Sequence, residues 1–352
     1  MDKTLFGFKR LVHFDKPYHL WNDETDPISF IKFSQGYFLG NCYFMSALAS
    51  IAEKPEIVKS LFHRNQDGKL VKQGIYEIKC FINGVPRIVQ VDDLLPITKE
   101  GKFVFGEPNL AINSLQVWAL ILEKAWGKIV VNFERQVAGW AHECLTILTG
   151  APSKDYLIKN YDLEEVWTIV YESLQKGYLV GCGTNGAGDD TVKDIIGLAQ
   201  SHAYGALDAR IVIHPVTREV LRLIKLHNPW TQETYKGKCS ESNAEFWTDE
   251  LKAELGHTIK DDGVIWLTVE EFKASMLYAC VTLYNKDNYH NYIHSEGDEG
   301  ETKTFLFTLE DDKNWEDLDV MVTHYDSRMY PFGAKPTKVR SFFELFKWNP
   351  FT

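Results

Sequence analysis

Cys42, His202 and Asn228 are the residue types that nucleophilic thiol chemistry needs, and Gln35 stands just ahead of the first of them. Cys42 ends the stretch Gln35-Gly36-Tyr37-Phe38-Leu39-Gly40-Asn41-Cys42 and leads into the apolar run Met45 to Ala52, which holds no Gly or Pro. A glycine-containing turn before such a run predicts a helix that starts at Cys42, with Asn41 as its cap. Unpaired N–H groups and the positive end of the helix dipole favour negative charge there. A thiol at this place gives up its proton more readily, and the thiolate is the nucleophile. Gln35 can offer its side-chain amide to a developing oxyanion. A cysteine nucleophile also needs a base, and that base needs a partner on its other ring nitrogen. His202, in Ser201-His202-Ala203-Tyr204, and Asn228, in His227-Asn228-Pro229-Trp230, fit those two roles. The plain alternative for a single Cys at a helix start is a buried structural thiol.

Those side chains meet only if the elements bearing them do. His202–His214 and Glu219–His227 read as a hairpin turning near residues 215–218. That pairing sets position 202 opposite a position near 231 and leaves Asn228 within a few residues of His202. Pro229 ends the pairing because it has no N–H to donate, and Trp230 follows where it can cover a His–Asn bond. Ahead of the hairpin, helices are predicted from Cys42 to about Glu53, over Pro55–Phe62, over Leu115–Val130 behind Ser114, and over Leu163–Gln175. Gly74–Phe81 and Val85–Val91 alternate as strands about an Asn83-Gly84 turn. Tyr178–Cys182, Gly263–Thr268 and Tyr278–Tyr284 read as strands, Phe246–Leu255 and Val269–Met276 as helices. Residues 1–34 look irregular. The glycines of Gly183–Asp190 lack the Lys-Ser/Thr ending of a phosphate loop. Gly150 and Pro152 mark a boundary, which gives units of 1–150, 151–284 and 285–352. The third is a polar linker followed by Thr304–Leu309 and Leu318–His324, which read as the strands of a short all-β module, small in itself or part of something longer.

Composition narrows the classes. The 352 residues carry a net charge of -11, which excludes the basic face of a general nucleic-acid binder. No run of 18 apolar residues predicts a membrane span, and the first ten residues do not read as a signal peptide. Six scattered cysteines without a CxxC pair read as reduced thiols in the cytoplasm, not as zinc ligands. His290, His294 and Asp298 have the look of a metal group but sit in the polar linker, where solvated side chains are the simpler reading.

The stretches around these residues resemble the protease core of the calpains, a branch of the papain-like cysteine proteases. Family members read QGxLGDCWF at the nucleophile, GHAY at the base and NPWG at the Asn; here the stretches are QGYFLGNCYF, SHAY and NPWT. Val91–Pro96 (VDDLLP), Trp118–Lys128 (WALILEKAWGK), Asp261–Trp266 (DDGVIW) and Thr149-Gly150-Ala151 match further family segments, in order, over roughly residues 30–284. The resemblance implies an α+β fold of two lobes, a mostly helical one with Cys42 and a β-rich one with His202 and Asn228. It implies a cysteine endopeptidase acting on protein or peptide substrates through Cys42, His202 and Asn228, with Gln35 as oxyanion donor and with Gly40 and Trp230 at the cleft. A non-proteolytic calpain-like interaction module is the second reading, although the triad is intact. A transglutaminase-like enzyme would use Asp in place of Asn228.

Three departures bear on the chemistry. One extra residue separates Gln35 from Cys42, Tyr43 replaces a Trp, and Asn41 replaces an Asp, a change that reads as harmless. The resemblance also implies a calcium ion in each lobe, and calcium wants six to eight oxygen ligands. In the first lobe Glu143 matches one carboxylate, but Lys32 stands where the other is expected. In the second, Asp262 remains and Glu241 can replace an Asp, while Thr234 and Val264 stand at two other acidic positions. Weakened or lost calcium binding is therefore expected.

Overall fold

The computed structural model describes residues 5–36, 39–65, 67–109, 112–186, 192–232, 234–260, 262–286, 320–322 and 329. In chain order the first half holds β1 (Leu5–Arg10), β2 (Phe33–Ser34), α1 (Cys42–Ala52), α2 (Pro55–Leu61), β3 (Ile75–Ile82), β4 (Val85–Asp92), β5 (Leu94–Thr98), β6 (Glu107–Pro108), α3 (Trp118–Ile129) and α4 (Ala141–Thr149). The second half holds β7 (Ser153–Leu157), α5 (Leu163–Gln175), β8 (Leu179–Thr184), β9 (Ala203–Ile213), β10 (Val220–His227), α6 (Asp249–Leu255), β11 (Val264–Thr268), α7 (Val269–Ser275) and β12 (Met276–Thr282). The fold is α+β. A helical half packs around α1, and an antiparallel six-stranded sheet of order β11-β10-β9-β8-β12-β7 forms the other half.

α1 is surrounded. Every residue from Tyr43 to Ala52 is buried, so its three alanines and two serines serve close approach on all sides. Ser46 and Ser50 return their hydroxyls to backbone carbonyls, Ser50 Oγ reaching Val180 O of β8 at 3.0 Å. The side chains around α1 form one apolar core, which Leu179, Ala203 and Tyr278 of the sheet also join. A second core lies between the sheet and α5, α6 and α7. Thr248 and Thr268 cap α6 and α7 through side-chain oxygens, and Asp162 caps α5.

The expected elements form with several corrections. Residues 1–34 are not all irregular: β1 pairs with β5, and β2 pairs with β6. Two-residue and edge strands carry too little alternation to be seen in a sequence. α3 begins at Trp118, because Ser114 Oγ accepts the N–H of Gln116 in a local turn. α6 begins at Asp249, where Thr248 offers the better cap. The Asn83-Gly84 turn has φ of 52° and 72°, the left-handed pair a two-residue hairpin requires. The expected linker and β module, with His290, His294 and Asp298, lie outside the described residues, except that Val320, Met321 and Val322 are described and are in no strand.

Candidate active site

The hairpin β9–β10 positions His202 and Asn228. Its register runs Ile213↔Val220 to Asp208↔Lys225, then shifts to Ala206↔Leu226 and Gly205↔His227. Leu207 is thus an extra residue, a bulge of the kind that re-aims side chains near active sites. It moves the position facing residue 202 from the expected 231 to 230, one step nearer Asn228. His202 Nε2 lies 2.9 Å from Asn228 Oδ1, and both residues are buried.

The orientation of the Asn amide fixes the histidine tautomer. Asn228 Nδ2 donates to Gln232 O at 3.1 Å, while Oδ1 accepts the N–H of Trp230 at 3.1 Å. Oδ1 therefore accepts from His202, Nε2 carries the proton, and Nδ1 carries the lone pair of the neutral ring. Nδ1 is buried and has no hydrogen-bond partner among the described residues. Burial pushes the imidazole down to about 4, against the upward pull of the Asn228 bond. The Trp230 ring lies over His202 with centroids 4.1 Å apart. The ring of Tyr204 meets it edge-on at 5.0 Å.

Cys42 opens α1, as expected, and it is the one cysteine of the six that is not buried. Burial pushes the Cys80 thiol up to about 11 and that of Cys280 to about 12. Those are the structural thiols. Cys42 lies close enough to Tyr204 and Tyr278 for a charge on it to oppose their ionisation. The approach of α1 to β9 is set at Gly205, where an added Cβ would lie 2.9 Å from Ser46 O. Ser46 is one helical turn beyond Cys42 and Gly205 three residues beyond His202, so this contact brings Cys42 and His202 to the same edge of the interface.

Asn41 takes the N-cap position of α1, as expected, but its side chain makes no capping hydrogen bond. Its Nδ2 donates to Glu123 Oε1 at 2.7 Å and to Gln136 Oε1 at 3.1 Å, all three side chains being buried. Glu123 also accepts the N–H of Gly106 at 3.0 Å, and burial raises it to about 7. This carboxylate was not among the expected site residues. Its signal was an acid directly after the apolar turn Trp118–Leu122 that opens α3.

Gln35 is buried, and its N–H donates to Pro229 O at 2.8 Å, which ties the segment leading to Cys42 to the loop of Asn228. Its side chain, however, donates from Nε2 to Leu39 O at 2.7 Å, inside the lengthened loop. Gly40 is exposed, and its carbonyl accepts the N–H of Ala138. Thr184, also unexpected, holds His202 from behind: Oγ1 accepts the N–H of His202 at 3.1 Å and the Thr184 N–H donates to His202 O at 2.9 Å.

The sequence model of the calpain family cysteine proteases matches residues 6–283. The chain belongs to the calpain family of cysteine proteases. It is 28% identical over 252 residues to the calpain-type cysteine protease DEK1 of Arabidopsis thaliana, which covers 69% of this chain and 11% of that protein. It is 28% identical to mouse calpain-9 over 67% of this chain and 34% of that one, and 25% identical to human calpain-7 over 73% and 32%. The match thus spans from about a ninth to a third of these calpains.

The residues expected to hold calcium do not fit a calcium cage. Lys32 Nζ lies 2.6 Å from Asp26 Oδ1. Glu143 accepts the N–H of Trp140 in the capping box of α4. Asp262 Oδ2 lies 3.1 Å from Lys260 Nζ, and its Oδ1 accepts the N–H of Val264. Glu241 Oε1 lies 3.1 Å from His257 Nε2, and Thr234 Oγ1 donates to Gly197 O at 2.7 Å. Among the described residues no helix is long and apolar enough to cross a membrane.

Proposed function

We propose that this chain is a cysteine endopeptidase that cleaves protein substrates through Cys42, His202 and Asn228. The observation that carries the reading is the buried 2.9 Å bond from His202 Nε2–H to Asn228 Oδ1, which leaves the Nδ1 lone pair for a thiol proton. Nδ1 takes the proton of Cys42, and the sulfur attacks the scissile carbonyl carbon. The imidazolium gives its proton to the leaving amine, and the acyl-enzyme remains. Nδ1 then takes a proton from water, whose oxygen displaces the sulfur and releases the acid. Asn228 holds the ring in the productive tautomer throughout, and Trp230 keeps water from its bond. The six unbridged thiols and the acidic charge support a cytoplasmic setting.

Cys42→Ala is expected to abolish hydrolysis of an unfolded protein substrate while the thermal unfolding midpoint stays within a few degrees. Retained cleavage in that variant would refute the assignment. One observation favours the second reading, a non-proteolytic interaction module: the Gln35 amide is turned to Leu39 O. Selective labelling of Cys42 by an epoxide thiol inhibitor separates the two, since an inert scaffold leaves Cys42 no more reactive than an ordinary thiol.

A further inference from the structure

At the positions that the calpain resemblance gives to calcium, Lys32 stands in place of one ligand and pairs with Asp26, and Asp262, a ligand in that reading, pairs with Lys260, while Glu143 closes the capping box of α4. Each of the two ion pairs lies beside backbone that holds the candidate site. In the helical half, the two oxygens of Asp26 are divided between Lys32 Nζ at 2.6 Å and His19 Nε2 at 2.9 Å. The nearby carbonyls are taken as well: Gln116 Nε2 donates to Asp26 O at 2.8 Å and to Pro27 O at 2.6 Å. Lys32 is held in turn through its own carbonyl, which accepts the N–H of Asn109 at 2.9 Å. Three residues on, the N–H of Gln35 reaches Pro229 O. In the β-rich half, Asp262 bonds Lys260 and the N–H of Val264, and the next carbonyl, Gly263 O, accepts the N–H of Asn228 at 2.8 Å.

The chemistry follows from charge. Calcium binds by gathering several negative or carbonyl oxygens at 2.3–2.6 Å. A carboxylate already paired with an ammonium offers no net charge, and a metal would have to displace the lysine and then leave it unpaired. A lysine on the chain, by contrast, is present at every moment. We propose that Lys32 and Lys260 do permanently what the calcium ions of the family do on demand, bracing the backbone of Gln35 and Asn228 so that the cleft is assembled without metal. This rests on the protease reading above.

Two measurements on the full chain test it. The first is thermal unfolding in chelator and in millimolar calcium, with peptide hydrolysis in parallel. The midpoint is expected to be the same in both, because a ligand that binds the native state must raise it, and the rate is expected to stay within about twofold. A midpoint several degrees higher in calcium, or activity lost in chelator, overturns the proposal. The second is Lys32→Gln, which leaves Asp26 without its ammonium. The kcat/KM is expected to fall about fivefold, an effect suited to a partly exposed pair, mainly through kcat. Lys32→Arg should restore it and calcium should not. No effect of Lys32→Gln, or its rescue by calcium, also overturns the proposal. The unfolding experiment needs no turnover and can be run on Cys42→Ala, so an inactive chain would sink the protease reading without touching the test of calcium.

Discussion

At the scale of single residues, the loop that follows Asn228 carries a cost that the family's glycine avoids. Thr231 has φ of 54°, in the left-handed region, where the resemblance puts the Gly of NPWG. A β-branched residue there is strained by about 1–2 kcal/mol. The conformation persists because it is held on both sides: the N–H of Thr231 donates to Asn228 O, and Gly263 approaches so closely that its own Cβ would lie 2.9 Å from Thr231 Cα. Thr231→Gly removes the strain but adds freedom to the unfolded chain, worth roughly 0.5–1 kcal/mol. The net is an expected gain of about 0.5–1 kcal/mol in chemical denaturation. A loss would show that the Thr methyl or hydroxyl outweighs the backbone. Asn41 poses the opposite case. The sequence presents it as a harmless change from Asp, yet its Nδ2 is 2.7 Å from a buried carboxylate. Asn41→Asp would set two carboxylates side by side, and one must then hold a proton. Their shared pKa lies above its unfolded value, so the folded form binds more protons and stability falls as pH rises. A loss on the order of 3 kcal/mol is expected at pH 8 and a smaller one near pH 5. Equal losses at both would mean that the pair stays apart.

At the scale of elements, the site depends on how closely a helix can lie on a sheet. α1 rests on β8 and β9 through Ser50, Ser46 and the bare Cα of Gly205, and the free energy of that contact is spread over buried alanines. Adding one methyl at 205 meets a backbone carbonyl, which cannot rotate away as a side chain would. Gly205→Ala should therefore push α1 outward by some tenths of an ångström. Overpacking of this kind costs typically 1–3 kcal/mol. The displacement separates Cys42 from His202, and misplacing reacting groups by about 1 Å can cost a hundredfold. A fall of at least tenfold in kcat, with KM little changed, is expected from steady-state peptide hydrolysis. A variant that loses stability but keeps kcat would show that the α1–β9 spacing does not set the catalytic distance. The bulge at Leu207 works at the same scale: by shifting the register one step it brings Asn228 under the ring of His202.

At the scale of the whole molecule, local patterns were legible and distant couplings were not. The helix that Cys42 opens, both hairpins and α5 follow from periodicity, caps and turn residues, because those signals are carried within a few residues of each other. The pairing of β1 with β5, the burial of Glu123 against Asn41 and the support of His202 by Thr184 join positions far apart in the chain, and no local pattern encodes them. The inward turn of the Gln35 amide was likewise invisible, although the extra loop residue marked the place. What emerges only from the assembled molecule is its response to acid. His202 and His227 are both buried at the junction of the halves, and burial lowers them to about 4 and about 3. In the unfolded chain each returns to about 6.5. Between these values the unfolded state binds more protons, so stability falls as pH drops from about 6.5 towards 4. Each ring contributes on the order of 3 kcal/mol across that window. Glu123, raised to about 7 by burial, opposes the trend, since its folded form holds the extra proton and gains stability as pH falls from about 7 to 4.5. His257, buried and lowered to about 4 as well, makes three histidines against one carboxyl, so the molecule should unfold on mild acidification, with the midpoint of urea denaturation dropping steeply below pH 6. His227→Gln, which cannot take up a proton, should flatten that slope by nearly half even if it lowers stability at pH 7. An unchanged slope in the variant would mean that His227 does not titrate with unfolding.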